Sequence, residues 1–262
     1  MKINIWDTSK EVVEHPCHAT PYMTFHKAEN SVGKCVLILP GGGYSFVCDT
    51  YEGEEVAEFF NSFGVDAFVL RYRIAPDFPY PYPFLDATRA MRYIRANASE
   101  FDIDPNKLGI MGFSAGGHLA SWVSTKFDDI LGDDDDLIGK VSARPNFTIL
   151  GYPVINLNKL TEYAVTGQNL LGVDASDDMI DSLCSEKNIT KDTPPAFLFH
   201  TFDDKTVPCE NSVRYYLGLI KNNIPSELHV YKPGQHGVGL IKDDNHLGTW
   251  HILLKNWLLN IV

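Results

Sequence analysis

Residues 107–125, KLGIMGFSAGGHLASWVST, run from a stretch of apolar residues into a helix-like stretch with no loop between them. A strand that turns directly into a helix accommodates such a junction, and it forces the apex residue, Ser114, into a strained conformation, often with φ > 0. Gly112 and Gly116 flank the apex, where side chains would collide with the turn or the neighbouring helix. The apex oxygen then stands above the sheet at a helix N-terminus, where the dipole and free N–H groups favour developing negative charge. A serine in a merely glycine-rich turn is the plainer reading, and the strand and helix on either side speak against it.

The rest of the chain alternates in the same way. KCVLILP, VDAFVLRYR, KLGIMGF, FTILGYP, PAFLFHTF and ELHVYKP are near-continuous apolar runs, as expected of strands covered on both faces. Between them lie amphipathic stretches at 53–63, 84–98, 211–223 and 247–262. In the first, Val56, Phe59, Phe60 and Phe63 share a face; in the second, Leu85, Thr88, Met91, Tyr93, Ile94 and Ala98 broadly do. The expectation is an α/β fold, a mostly parallel central sheet with helices on both faces, with INIW and YMTFH as an antiparallel edge. No repeat or linker divides residues 1–262, so one domain is expected. Residues 154–193 form a long polar insertion expected to shape a ligand cleft, and the acidic run at 128–139 reads as a solvated loop.

Composition narrows the partners. Lys and Arg number 22 against 34 Asp and Glu, a net charge of −12, which disfavours nucleic acid and anionic membranes. The first residues carry scattered charges rather than a signal-peptide core, and no apolar stretch approaches the roughly 18 residues of a membrane span. The five cysteines (17, 35, 48, 184 and 209) show no metal-ligand spacing. Reduced thiols in a cytoplasmic protein without metal or cofactor are expected, a Cys184–Cys209 disulfide being the alternative.

A serine hydroxyl is a weak nucleophile until a base takes its proton. His236 lies in a glycine-flanked loop straight after the last strand run, whereas His246 and His251 fall at the start of, or within, a helix. His236 is therefore the candidate base. Asp203 and Asp204 compete for the acid's place in FLFHTFDDKTVP; adjacent side chains diverge, so one can face the ring, and Asp204 is the choice. The run LILPGGGYSF exposes bare backbone N–H groups after a strand. With the N–H of Ala115, those of Gly42, favoured, and Gly43, second, form a candidate oxyanion site. The same loop lacks the Lys-Ser/Thr of a phosphate-binding loop and the spacing of a dinucleotide site. Tyr44 could line the pocket or pack in the core; an arginine of LRYR pairs with an aspartate such as Asp86; His118 and His200 read as structural.

Taken together, LPGGGY, EGEEVAEFF, FVLRYRIAP, MGFSAGGHLAS, NLLG, TPPAFLFHTFDDKTVP and GQHGVGL resemble the α/β-hydrolase-fold esterases. More narrowly the chain is similar to the bacterial acetyl-xylan esterase and carbohydrate acetylesterase branch related to the hormone-sensitive-lipase-like group. The resemblance runs from about residue 35 to the end. It implies removal of acetyl groups from sugar hydroxyls, such as those of xylo-oligosaccharides, through a serine acyl-enzyme without a metal. Ser114 would be nucleophile, Asp204 acid and His236 base, in the chain order of that fold. Pro40 stands where many lipase-like relatives carry histidine, which points away from lipases. A peptidase of the same fold and a non-catalytic binding protein are the competing readings. Trp250, Trp257 and the apolar C-terminal stretch suit a homo-oligomer interface as readily as a core.

Overall fold

A computed structural model describes residues 2–7, 19–129, 136–157, 164–260 and 262, so Cys17 and part of the acidic run lie outside the described residues. Eight strands form one sheet: β1 (Lys2–Asn4), β2 (Tyr22–His26), β3 (Cys35–Leu39), β4 (Asp66–Arg71), β5 (Leu108–Phe113), β6 (Thr148–Gly151), β7 (Ala196–Thr201) and β8 (Ser226–Tyr231). Their spatial order is β1-β2-β4-β3-β5-β6-β7-β8. β2 pairs antiparallel with both β1 and β4 at one edge, and the remaining pairings, from β4 to β8, are parallel. The expected sheet, its antiparallel edge included, is the one observed.

Strand periodicity decides which helix each side chain meets. In β3, Cys35, Leu37 and Leu39 face one cluster while Val36 and Ile38 face the other; in β7, Ala196 and Leu198 oppose Phe197 and Phe199. The first cluster is closed by α2 (Tyr82–Ala96), α3 (Ser114–Thr125) and α6 (Glu210–Lys221), the second by α1 (Glu55–Asn61) and α7 (Thr249–Asn260). Phe199 stacks on Trp250 of α7 with ring centroids 3.8 Å apart. The strands β3 to β7 are therefore covered twice, which is why their sequences read as apolar runs rather than alternations, while in the edge strand β8 only Tyr231 is buried.

One expectation is corrected by α2, which is not buried along a single face. Asp86, Arg89 and Arg92 are buried with its apolar residues. Asp86 accepts from Arg73 (Nη2–Oδ1 2.6 Å) and from the Trp6 indole (2.7 Å), while Arg89 donates to the Ile5 carbonyl (2.9 Å) and pairs with Asp136 (2.6 Å). The polar face of the helix is thus roofed by the N-terminal segment, and distant partners neutralise Asp86 and Arg89. The arginine–aspartate pairing foreseen for LRYR is made by Arg73; Arg71 pairs with Asp49 instead.

The junction of β5 and α3 is as tight as its glycines suggest. Ser114 has φ +51° and follows an extended Phe113. A Cβ on Gly112 would lie 2.1 Å from the Gly116 carbonyl oxygen, and one on Gly116 would lie 2.1 Å from that of Leu39. Both obstacles are backbone and cannot swing aside. Gly112→Ala is expected to cost about 3 kcal/mol or more through this overpacking. Denaturant unfolding reads the loss, and an unchanged midpoint would show that the crossing is looser than described.

Candidate active site

The carboxyl ends of five neighbouring strands open on one cavity, at the point where the chain leaves β3 for β4 on one side and β5 on the other. Such switch points are where open α/β sheets place ligands. β5 delivers Ser114, the segment after β7 delivers Asp204, and the loop after β8 delivers His236. His236 Nε2 lies 2.9 Å from Ser114 Oγ, and His236 Nδ1 lies 2.6 Å from Asp204 Oδ2. A carboxylate can only accept there, so Nδ1 carries the hydrogen and Nε2 presents a lone pair to the serine hydroxyl. The carbonyl of Ser114 accepts from Val154 N–H (3.0 Å), which ties the exit of β6 to the apex.

Asp204 is itself held on several sides. Its Oδ1 accepts from Thr206 N–H (2.9 Å) and Val207 N–H (2.8 Å), and His200 Nε2 is 3.4 Å from Oδ2. Burial opposes ionisation, but hydrogen bonds from His200 and His236, the His236 charge and the Val207 N–H together hold this carboxyl well below the usual range. Asp203, the competing acid, faces a second hollow with Lys205 and Gln235. His246 packs its ring on Tyr231 and His251 on Phe59, away from Ser114.

The glycine turn after β3 divides its donors. Gly41 N–H donates to Glu52 Oε2 (2.7 Å), whereas Gly42 and Gly43 N–H meet no acceptor among the described residues. Ala115 N–H belongs to the first turn of α3, where amides have no intrahelical partner. Gly42, Gly43, Ser114 and His236 line one cavity of about 530 Å³ together with Phe46, Tyr51, Asn169 and Lys205. Asn169 comes from α4 (Ala164–Leu171), which together with α5 (Asp177–Leu183) belongs to the polar insertion, and its Nδ2 donates to the Gly43 carbonyl (2.8 Å). The insertion therefore grips the glycine turn directly.

Of the two readings left open for Tyr44 the core one is observed, and His118 and His200 are structural as expected. Tyr44 is fully buried and its hydroxyl donates to His118 Nδ1 (2.8 Å), while His118 Nε2–H donates to the Leu183 carbonyl (2.9 Å). Burial drops the His118 pKa to about 4, so the ring stays neutral. His200 spends Nε2–H on the Val207 carbonyl and accepts from Ser212 at Nδ1 (2.8 Å each). Sequence reasoning missed Glu52 and Tyr152. Glu52 sits in an acidic run with nothing local to mark it, and Tyr152 looks like one more aromatic at a strand end. Among the described residues no group of His, Cys, Asp and Glu is arranged to hold a metal, and no helix is long and apolar enough to cross a membrane.

The BD-FAE family profile matches residues 23–219, well over half of the chain. The chain belongs to the BD-FAE family. This BD-FAE member has the α/β-hydrolase fold. It is 36% identical over 245 residues to an endo-1,4-beta-xylanase B of Butyrivibrio fibrisolvens, covering 92% of this chain and 38% of that protein. It is 34% identical over 244 residues to an acetylxylan esterase of Xylanibacter ruminicola, covering 89% of this chain and 47% of that protein. The BD-FAE chain thus spans less than half the length of these curated relatives. Among solved structures, an acetyl ester-xyloside bifunctional hydrolase from Caldicellulosiruptor lactoaceticus superimposes with a TM-score of 0.90 at 37% identity, over 100% of this chain and 96% of that one.

Proposed function

We propose that this protein is a serine carboxylic-ester hydrolase that removes acetyl groups from acetylated sugars such as xylo-oligosaccharides. The observation that carries the reading is the continuous hydrogen-bonded row Asp204–His236–Ser114 beside unpaired Gly42, Gly43 and Ala115 amides. The likeness to an acetylxylan esterase and to an acetyl ester-xyloside hydrolase supports the substrate class. The cavity mixes the rings of Phe46 and Tyr51 with polar Thr166, Asn169 and Lys205, which suits a sugar carrying a small acyl group. Val165, Thr166 and Asn169 of the insertion line it, which supports a substrate-shaping role for residues 154–193. Free thiols at Cys35, Cys48, Cys184 and Cys209 suit a cytoplasmic, reducing setting.

In the first half-reaction His236 Nε2 takes the Ser114 proton as Oγ attacks the acyl carbon. The oxygen of the tetrahedral intermediate accepts from Gly42 or Gly43 N–H and from Ala115 N–H, a donor of this kind being worth about 3 kcal/mol. Asp204 stabilises the imidazolium, which then gives its proton to the departing sugar hydroxyl. Water deprotonated by the same His236 attacks the acyl-serine and releases acetate. Acetate release from a panel of acetylated xylo-oligosaccharides and other sugar acetates tests the substrate class. Faster turnover of aminoacyl p-nitroanilides than of any acetyl ester would overturn it in favour of a peptidase.

A further inference from the structure

Glu52 has no part in the chemistry above, yet it is only 2% exposed and borders the cavity that holds Ser114 and His236. It lies in a π-helical turn, Thr50–Glu54, that precedes α1. Such a wide turn rotates a residue away from the face that regular helical spacing would give it, and π-turns recur at functional sites. Glu52 Oε2 accepts from Gly41 N–H (2.7 Å) and Oε1 accepts from the Tyr152 hydroxyl (2.7 Å). The Tyr152 oxygen in turn accepts from Gly239 N–H (3.1 Å), three residues beyond His236. The Tyr152 ring meets the His236 ring edge to face, with centroids 5.1 Å apart.

No ion pair to Glu52 occurs among the described residues, and burial raises the pKa of its carboxyl against the hydrogen bonds from Tyr152 and Gly41. A carboxyl group in that position is costly, and an apolar side chain would fill the same volume with less desolvation. What an apolar side chain could not do is accept from two donors on opposite sides of the site. One donor lies at the head of the glycine turn, immediately before Gly42, and the other leads through Tyr152 to the histidine loop. Tyr72 adds a second brace, its hydroxyl donating to the Pro40 carbonyl (2.6 Å).

We propose that Glu52 is a positioning residue that, through Tyr152, couples the Gly41–Gly43 turn to the His236 loop and so keeps the oxyanion donors and the base in register. The coupling is a mechanical property of two loops; its catalytic consequence rests on the esterase reading. Glutamine at 52 keeps the shape but exchanges one acceptor for a donor, so its oxygen can serve Gly41 N–H only if the Tyr152 hydroxyl turns to accept from the amide nitrogen and leaves its own hydrogen unpaired. Phenylalanine at 152 keeps the ring against His236 and removes both hydroxyl contacts.

Glu52→Gln, Tyr152→Phe and the double variant are compared with wild type by hydrogen exchange and by p-nitrophenyl acetate kinetics. Each single variant is expected to speed exchange in both 41–48 and 234–241 while leaving β7 unchanged. Each is also expected to lower kcat on the order of 10²-fold, the scale of a misplaced reacting group, with KM within about twofold. The double variant should cost no more than the worse single one, as for residues acting through one chain of contacts. Faster exchange in the glycine turn alone, or additive losses in kcat, would overturn the coupling. A Glu52→Gln protein that merely unfolds at lower temperature, with wild-type kcat, would show a purely structural role. Tyr152→Phe keeps the test decisive if the Glu52 variant does not fold. Persistence of activity in a Ser114→Ala control would defeat the esterase reading and leave the exchange result standing by itself.

Discussion

Ser114→Ala is expected to lower kcat for p-nitrophenyl acetate by about 10⁶-fold, the scale seen when a serine hydrolase loses its nucleophile. Among the described residues the hydroxyl 2.9 Å from His236 Nε2 is the nucleophilic oxygen that meets that lone pair, and alanine leaves the donors with nothing to stabilise. KM should change little, because the Gly42, Phe46 and Asn169 walls of the cavity remain. Ser114→Gly separates the chemistry from the strain. At φ +51° a side chain costs on the order of 1 kcal/mol, which glycine relieves, so this variant should be inactive yet melt higher than wild type. Reaction of wild type, and of neither variant, with a fluorophosphonate probe completes the case. Full activity in either would remove Ser114 from the mechanism.

Asp204→Asn is expected to lower kcat by about 10⁴-fold with the protein still folded. Asparagine can keep its Oδ1 on the Thr206 and Val207 amides, 2.9 and 2.8 Å away. Its amide nitrogen would then face His236 Nδ1 and require that nitrogen to accept. The hydrogen moves to Nε2, and the ring can no longer take a proton from Ser114. A pH signature accompanies this. The native-state pKa of Asp204 is depressed below its unfolded value near 4, so its stabilising contribution is complete above about pH 4 and fades as pH falls through the native value. Urea unfolding between pH 7 and 3 should therefore show a shallower acid loss in the asparagine variant than in wild type. Equal slopes would mean that Asp204 is not held as an anion.

Much of this molecule is legible locally. The six parallel strands, the antiparallel edge and the strand–helix junction at Ser114 all appear as runs and spacings a few residues wide, because strand and helix periods are local properties of the backbone. Elements become obscure where burial depends on a remote partner. The α2 helix carries Asp86, Arg89 and Arg92 on what periodicity takes for its wet face, and remote residues, among them Trp6 and Arg73 at Asp86 and Ile5 and Asp136 at Arg89, turn it into an interior. The expected helix over 53–63 begins with a π-turn instead, and that irregularity swings Glu52 inward from an acidic run that looks like solvated surface.

By itself the order of residues determined the doubly covered sheet, the tight junction at its centre and the serine and histidine of the hydrogen-bonded row, and it narrowed the acid to two neighbours. Each of these follows from steric and hydrophobic rules acting over one strand or one turn. Tertiary structure alone decided that Asp204 rather than Asp203 meets the imidazole, that Gly41 spends its amide on Glu52, and that Asn169 reaches the glycine turn from the insertion. Those contacts join residues 11 to 126 positions apart, and a hydrogen bond a few tenths of an ångström too long is no bond, so their making depends on how whole elements settle against one another.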